Sequence, residues 1–375
     1  MNLYNDAVFA ETIELLKELI QIPSVTGNEK AISEFIVEKL KEFGIDEAYL
    51  QPVQENRYNV IGHFKGAKPG KTILLTGHMD VVSPGEGWTK EPFKATEENG
   101  RIYGRGSNDM KAGIAIILEC AKLAAMHRES FSGNLEIALL CDEEAYSEGA
   151  IAFIKSNVKA DFGLAAEPEF EKVEVGAVGK TLVEVTVKGK ACHAATPHLG
   201  VNAMEEAAKF IVGLSQITPP AHVKMAGQPF VLLKAKCGSE EYSLVIPDRC
   251  ELLFNKHTVP GETKEDVLAV MEQVVRDLDL KAEFTFKVKK PFYPPFEVPE
   301  GNEDVIRLRQ IIKKVTGSDA PLGYGDGVCD SNYIVPEGGI PTVCYGPEGG
   351  NMHAADEWVD IEKIRTVLKV YLEFL

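Results

Sequence analysis

The sequence lacks three things, and each absence limits what the chain can be. There is no long apolar run: 45% of the 375 residues are hydrophobic, yet no stretch nears the ~20 residues that span a bilayer. There is no excess of positive charge, since 40 Lys and Arg stand against 57 Asp and Glu, for a formal net charge of −17. Nucleic acid and anionic membrane both require a basic face, so neither is expected as a partner. The seven cysteines include no C-x-x-C pair, which points to scattered core thiols in a reducing cytoplasm. No internal repeat, low-complexity segment or signal peptide is visible, and the opening "NDAVFAETIELLKELIQI" has the 3.6-residue apolar period of an amphipathic helix. These features describe a soluble cytoplasmic protein long enough for two domains.

What is present falls into two patterns. Residues 1–175 alternate amphipathic helices with short apolar runs such as "YNVIGHFKG", "TILLTG", "NLEIALLC" and "FGLAAE". This predicts an α/β domain, a mixed sheet with helices on both faces. Residues 176–291 read β-α-β-β-α-β, the order of a ferredoxin-like α+β unit. The proline-rich "PFYPPFEVPEG" is expected as a linker, after which residues 292–375 resume the first pattern. A small domain is therefore inserted into a larger one.

Chemistry gathers where the apolar runs stop. In "LLTGHMDVV", His78 and Asp80 lie two apart at a strand end, a spacing that lets a carboxylate orient an imidazole; a satisfied strand-end histidine fits equally well. Asp109 follows a glycine-rich stretch and, taken alone, reads best as a helix cap. "LLCDEEAYSEG" ends a buried strand in Asp142, Glu143 and Glu144, with Ser147 a candidate cap for the next helix. Adjacent strand residues face opposite ways, so Glu143 and Glu144 have different duties. Glu167 ends another apolar run and His353 sits in a loop near the C-terminus. Ligands of open α/β sheets bind at the carboxyl ends of strands. Brought together there, the five carboxylates and two imidazoles of His78, Asp80, Asp109, Glu143, Glu144, Glu167 and His353 would repel unless a pair of divalent cations balanced them. Imidazole and carboxylate without thiolate favour zinc, with manganese or cobalt as replacements. Cys141, beside the acids, has no histidine near it in sequence and is not read as a nucleophile.

The ordered set "GHMDVV", "WTKEPF", "GRIYGRGSNDMKAG", "CDEE", "AEP", "GKACHAATPHLGVNA" and "NMHAADEWV" resembles the di-zinc family of succinyl-diaminopimelate desuccinylase, acetylornithine deacetylase, aminoacylase and glutamate carboxypeptidase. The resemblance spans essentially the whole chain and implies a zinc-peptidase-like catalytic domain with an inserted lid and dimerisation domain. It implies that Asp109 bridges two zinc ions, with His78 and Glu167 on one and Glu144 and His353 on the other. Glu143 would be the general base, Asp80 would orient His78, and the Asp109–Met110 peptide would be cis. His193 would donate to the oxyanion from the partner subunit of a homodimer; His198 is expected to be solvated and Asn202 to cap a helix.

The sequence departs from the family pattern at His257, where an arginine commonly grips the substrate carboxylate. Histidine cannot reproduce that bidentate fork. His257 and Asn255 share one face of a predicted strand and are candidate substrate contacts, as are Gly349 and Gly350. The resemblance implies hydrolysis of the amide of an N-acyl amino acid, of the acetylornithine or succinyl-diaminopimelate type. The alternatives are dipeptidase or carboxypeptidase action, and a non-catalytic relative that binds metal or peptide.

Overall fold

The structure, a computed structural model, describes residues 3–239 and 243–375. The chain divides into two units, one of Met1–Gly176, Glu297–Tyr324 and Cys329–Leu375, the other of Ala177–Phe296 and Gly325–Val328.

The first unit is built on a mixed sheet whose centre is four parallel strands, Ser132–Leu140, Lys68–His78, Phe162–Ala165 and Thr342–Cys344, in that spatial order. Antiparallel strands Arg57–Lys65 and Glu47–Gln54 extend one side, and Val173–Ala177 extends the other. Register aligns the exits: His78 pairs with Leu140, Thr76 with Ala165, and Ala165 with Cys344. All four central strands thus release their chains at one end of the sheet.

Helices cover both faces. On strand Arg57–Lys65, Gly62 faces Leu40 of the helix Lys30–Glu42, whereas Asn59, three residues away and so on the other face, donates to Gly149 O at 2.9 Å. The helix Ala112–Met126 is buried along nearly its whole length, as its apolar sequence predicts. At the rim, His63 Nδ1 pairs with Glu136, which raises the imidazole pKa against a smaller cost of burial. A raised folded-state pKa stabilises below the unfolded value of about 6.5, and the gain is lost as pH rises through the folded value. Glu136→Gln should therefore lower stability at pH 5.5 by about 0.2–1 kcal/mol and leave it unchanged near pH 9. Thermal melts at both pH values check this.

The second unit contains Gly179–Lys188, helix Ala203–Ser215, Val231–Cys237, Arg249–Thr258, helix Lys264–Asp277 and Glu283–Tyr293. Its four antiparallel strands lie in the ferredoxin-like order, second, third, first, fourth. Helix Ala203–Ser215 is capped by Asn202, whose side chain accepts from Met204 N and Glu205 N.

Three expectations need correction. The proline-rich segment is not a free linker: Pro291–Tyr293 complete a strand and Phe296–Glu297 form another. The cysteines are not all scattered, because Cys237 and Cys250 face each other in register with Cα atoms 4.1 Å apart. Ser147 makes no side-chain cap; Asp142 Oδ2 instead accepts from Glu148 N at 3.3 Å. Among the described residues no helix is long and apolar enough to cross a membrane.

Candidate metal centre

The exits of the parallel strands bring seven side chains together. His78 ends its strand buried, with Nδ1 2.8 Å from the backbone oxygen of Asp80 and Nε2 2.9 Å from Asp109 Oδ1. With Nδ1–H donated to that carbonyl, Nε2 presents a lone pair to the centre. The carboxylate of Asp80 stands 3.8 Å from Nδ1 and is occupied elsewhere. It accepts from Glu143 N at 3.1 Å, Glu144 N at 3.2 Å and Thr26 Oγ1 at 2.9 Å. Asp80 therefore orients the imidazole with its main chain and fixes the two glutamates with its side chain.

Asp109 lies at the break before helix Ala112–Met126, in non-helical backbone (φ −119°, ψ 97°) followed by a cis peptide to Met110. Its two oxygens face two imidazoles: Oδ1 is 2.9 Å from His78 Nε2 and Oδ2 is 3.2 Å from His353 Nε2. His353 Nε2 is also 3.1 Å from Glu144 Oε1. On the opposite side, Glu167 Oε2 and Glu143 Oε2 lie 3.8 Å and 4.0 Å from His78 Nε2. The ligand atoms of His78, Asp109 and Glu144 all lie within 4.8 Å of one another.

The electrostatics are those of an acidic pocket whose carboxylates are largely shielded from water while His353 stays exposed at its edge. Burial pushes the Glu143 and Glu167 carboxyls well above the usual range; the His78 imidazole opposes this and neighbouring carboxylates add to it. Asp109 is buried too, but the histidines on either side outweigh that cost and hold it low. His353, hydrogen-bonded to Asp109 and Glu144, is raised to about 10. Acids crowded this closely ionise together only beside compensating charge. Oxygen and imidazole donors on both sides of one carboxylate fit two divalent cations.

Several contributors escaped the sequence reading. Arg57 pairs with both Glu29 and Asp142 Oδ1, the latter at 2.7 Å, so the first acid of "CDEE" has its own cation. Asp330 is buried, and burial raises it to about 7 against the opposing pull of His78 and a hydrogen bond from Ser147. Short strands Thr96–Glu98, Arg101–Tyr103, Trp358–Asp360 and Gly349–Gly350 form a separate small sheet. There Gly349 N donates to Asn108 Oδ1 at 2.8 Å. Strands of two or three residues leave no periodicity to detect, whereas Arg105 and Glu357, taken up below, stood inside quoted motifs as opposite charges next to ligands.

The remaining candidates belong to the second unit. His193 lies in an exposed turn, its Nδ1 accepting from Ala195 N at 3.0 Å. His257 is half-buried, with Nδ1 3.1 Å from Gly179 O, and burial together with Lys180 and Lys256 holds its pKa below the usual value. Asn255 has a buried side-chain oxygen with no partner among the described residues.

Similarity to known proteins runs the length of the chain. A succinyl-diaminopimelate desuccinylase from a Nitratiruptor species is 27% identical, with 97% of this chain and 99% of the relative aligned. A tripeptidase from Staphylococcus aureus shares the fold at TM-score 0.79 and 24% identity, over 98% of this chain and 97% of that one. A Bacillus subtilis protein described as a dinuclear metal binding peptidase matches at TM-score 0.75 and 18% identity, over 99% and 98% of the two chains. The model of peptidase family M20/M25/M40 matches residues 74–375, from the strand that carries His78 to the C-terminus. The chain belongs to peptidase family M20/M25/M40 and is a hydrolase that acts on amide bonds.

Proposed function

We propose that the protein is a co-catalytic di-zinc amidohydrolase that removes the acyl group of a small N-acyl amino acid. The observation that carries this reading is Asp109 with one oxygen on each of two imidazoles, ringed by Glu143, Glu144 and Glu167. In this reading His78, Glu167 and Asp109 hold one ion, and Glu144, His353 and Asp109 hold the other. Bound there, the two cations would polarise the amide carbonyl and lower the pKa of a water toward ~7. Glu143 takes the proton of the attacking water and returns it to the departing amine. Asp80 keeps Glu143 in place through its backbone N–H. His193 supplies the hydrogen bond to the developing oxyanion from a second copy of the chain, in a homodimer formed through the inserted domain. His257, Asn255, Gly349 and Gly350 contact the substrate.

Deacylation is preferred to peptide cleavage because a relative aligned over nearly its whole length is named a desuccinylase. The tripeptidase fold match keeps peptides as the second reading. A panel of N-acyl amino acids, dipeptides and tripeptides, assayed beside metal analysis of the same preparation, tests the choice. Turnover of N-acyl amino acids is expected; cleavage of peptides alone would reverse the order. A chelator should abolish turnover, and zinc, manganese or cobalt should restore it. Full activity in protein shown to be metal-free would contradict the metal reading.

A further inference from the structure

Arg105 and Glu357 are each 1% exposed, and Nη1 lies 2.5 Å from Oε2. Desolvating two charges is costly, and further hydrogen bonds offset that cost at each of the pair's polar atoms but Arg105 Nε, which has no partner among the described residues. Here those bonds go to the main chain beside the candidate ligands. Glu357 Oε1 accepts from Asn108 N at 2.9 Å and from Asp109 N at 3.1 Å, and Oε2 accepts from Gly106 N at 3.0 Å. Arg105 Nη2 lies 3.2 Å from the carbonyl of Ala354, which follows His353, and 3.3 Å and 3.4 Å from those of Pro84 and Ser83, which follow the His78–Asp80 segment.

We infer that the Arg105–Glu357 pair positions the metal centre: it holds in register the three segments that carry His78, Asp109 and His353. Neither residue reaches the centre with its own side chain. Glu357 sets the backbone of Asp109, and Arg105 ties the segments on either side of it. Asp109 stands between the two candidate ion positions, so loosening its backbone weakens both. The inference rests on the di-metal reading.

The test is metal binding by Arg105→Lys and Glu357→Gln. Lysine keeps the charge but cannot span three carbonyls and the carboxylate. Glutamine turns an amide N–H₂ toward one of the backbone N–H groups that Glu357 accepts. Zinc dissociation constants from competition with a chromophoric chelator should rise about 10–100-fold, the range for outer partners of metal ligands. The visible spectrum of the cobalt-loaded protein should shift as well. Leu308→Ala, a cavity in the core of the same unit, is the destabilised control and should leave both readouts unchanged. If Glu357→Gln does not fold, Arg105→Lys carries the test.

Wild-type metal affinity and an unaltered cobalt spectrum in the folded variants would overturn the inference, leaving the pair a clamp on the fold. The same would follow if Leu308→Ala weakened zinc equally. If the wild-type protein itself binds fewer than two ions, the di-metal reading has failed instead.

Discussion

Asp109→Ala should strip the protein of both metal ions and reduce turnover by on the order of 10³-fold or more, the loss of several kcal/mol of transition-state charge stabilisation. The effect should exceed that of removing any other candidate ligand, because among the described residues only Asp109 places an oxygen on each imidazole. His353→Ala and Glu167→Ala each remove a candidate donor from one side of the centre and should cost mainly one ion. Metal analysis after dialysis, compared across the three variants, checks the ranking. Equal retention of metal by Asp109→Ala and the wild type would contradict the bridging role. The folded structure should survive, since the Asp109 segment is also held by its N–H donation to Glu357 Oε1.

Glu143→Ala separates chemistry from metal binding. Removal of the general base should lower kcat by about 10²–10⁴-fold while leaving both ions in place. Glu143 stands 4.0 Å from His78 Nε2, and Asp80 holds its backbone N–H rather than its carboxylate. Its raised pKa reflects burial first and neighbouring acids after that. Glu143→Gln should be as inactive as Ala, because an amide fills the same space without accepting a proton. Rates and metal content measured on one preparation decide the matter, and full activity in either variant would remove Glu143 from the chemistry.

The fold, and the gathering of polar side chains at one end of its sheet, were legible in the sequence for one physical reason. Buried parallel strands appear as short apolar runs, and polar residues at their carboxyl ends have few reasons to be there except a ligand. Glu143, Glu144 and Glu167 stood out in this way, whereas a satisfied strand-end histidine fitted His78 equally well. The β-α-β-β-α-β order of the inserted unit was visible because its strands alternate and its helices are long.

What escaped depends on contacts between distant stretches. Asp80 was expected to orient His78 with its carboxylate, but the backbone carbonyl does so, and main-chain acceptors have no sequence signature. Arg57, far from "CDEE" along the chain, neutralises Asp142. Cys237 and Cys250 become neighbours through strand register, which their spacing alone does not reveal. The segment after Lys290 has proline's usual look of a loop, yet Pro291 lies within a strand. Asp330, in a stretch without apolar periodicity, gave no sign that it would be buried beside the acids.

The most direct test of the account is crystallography of the zinc-loaded protein with anomalous scattering recorded at the zinc edge. Two peaks are predicted, about 3.5–4 Å apart, one coordinated by Asp109 with His78 and Glu167 and the other by Asp109 with Glu144 and His353. A single peak, or zinc bound away from Asp109, would contradict it.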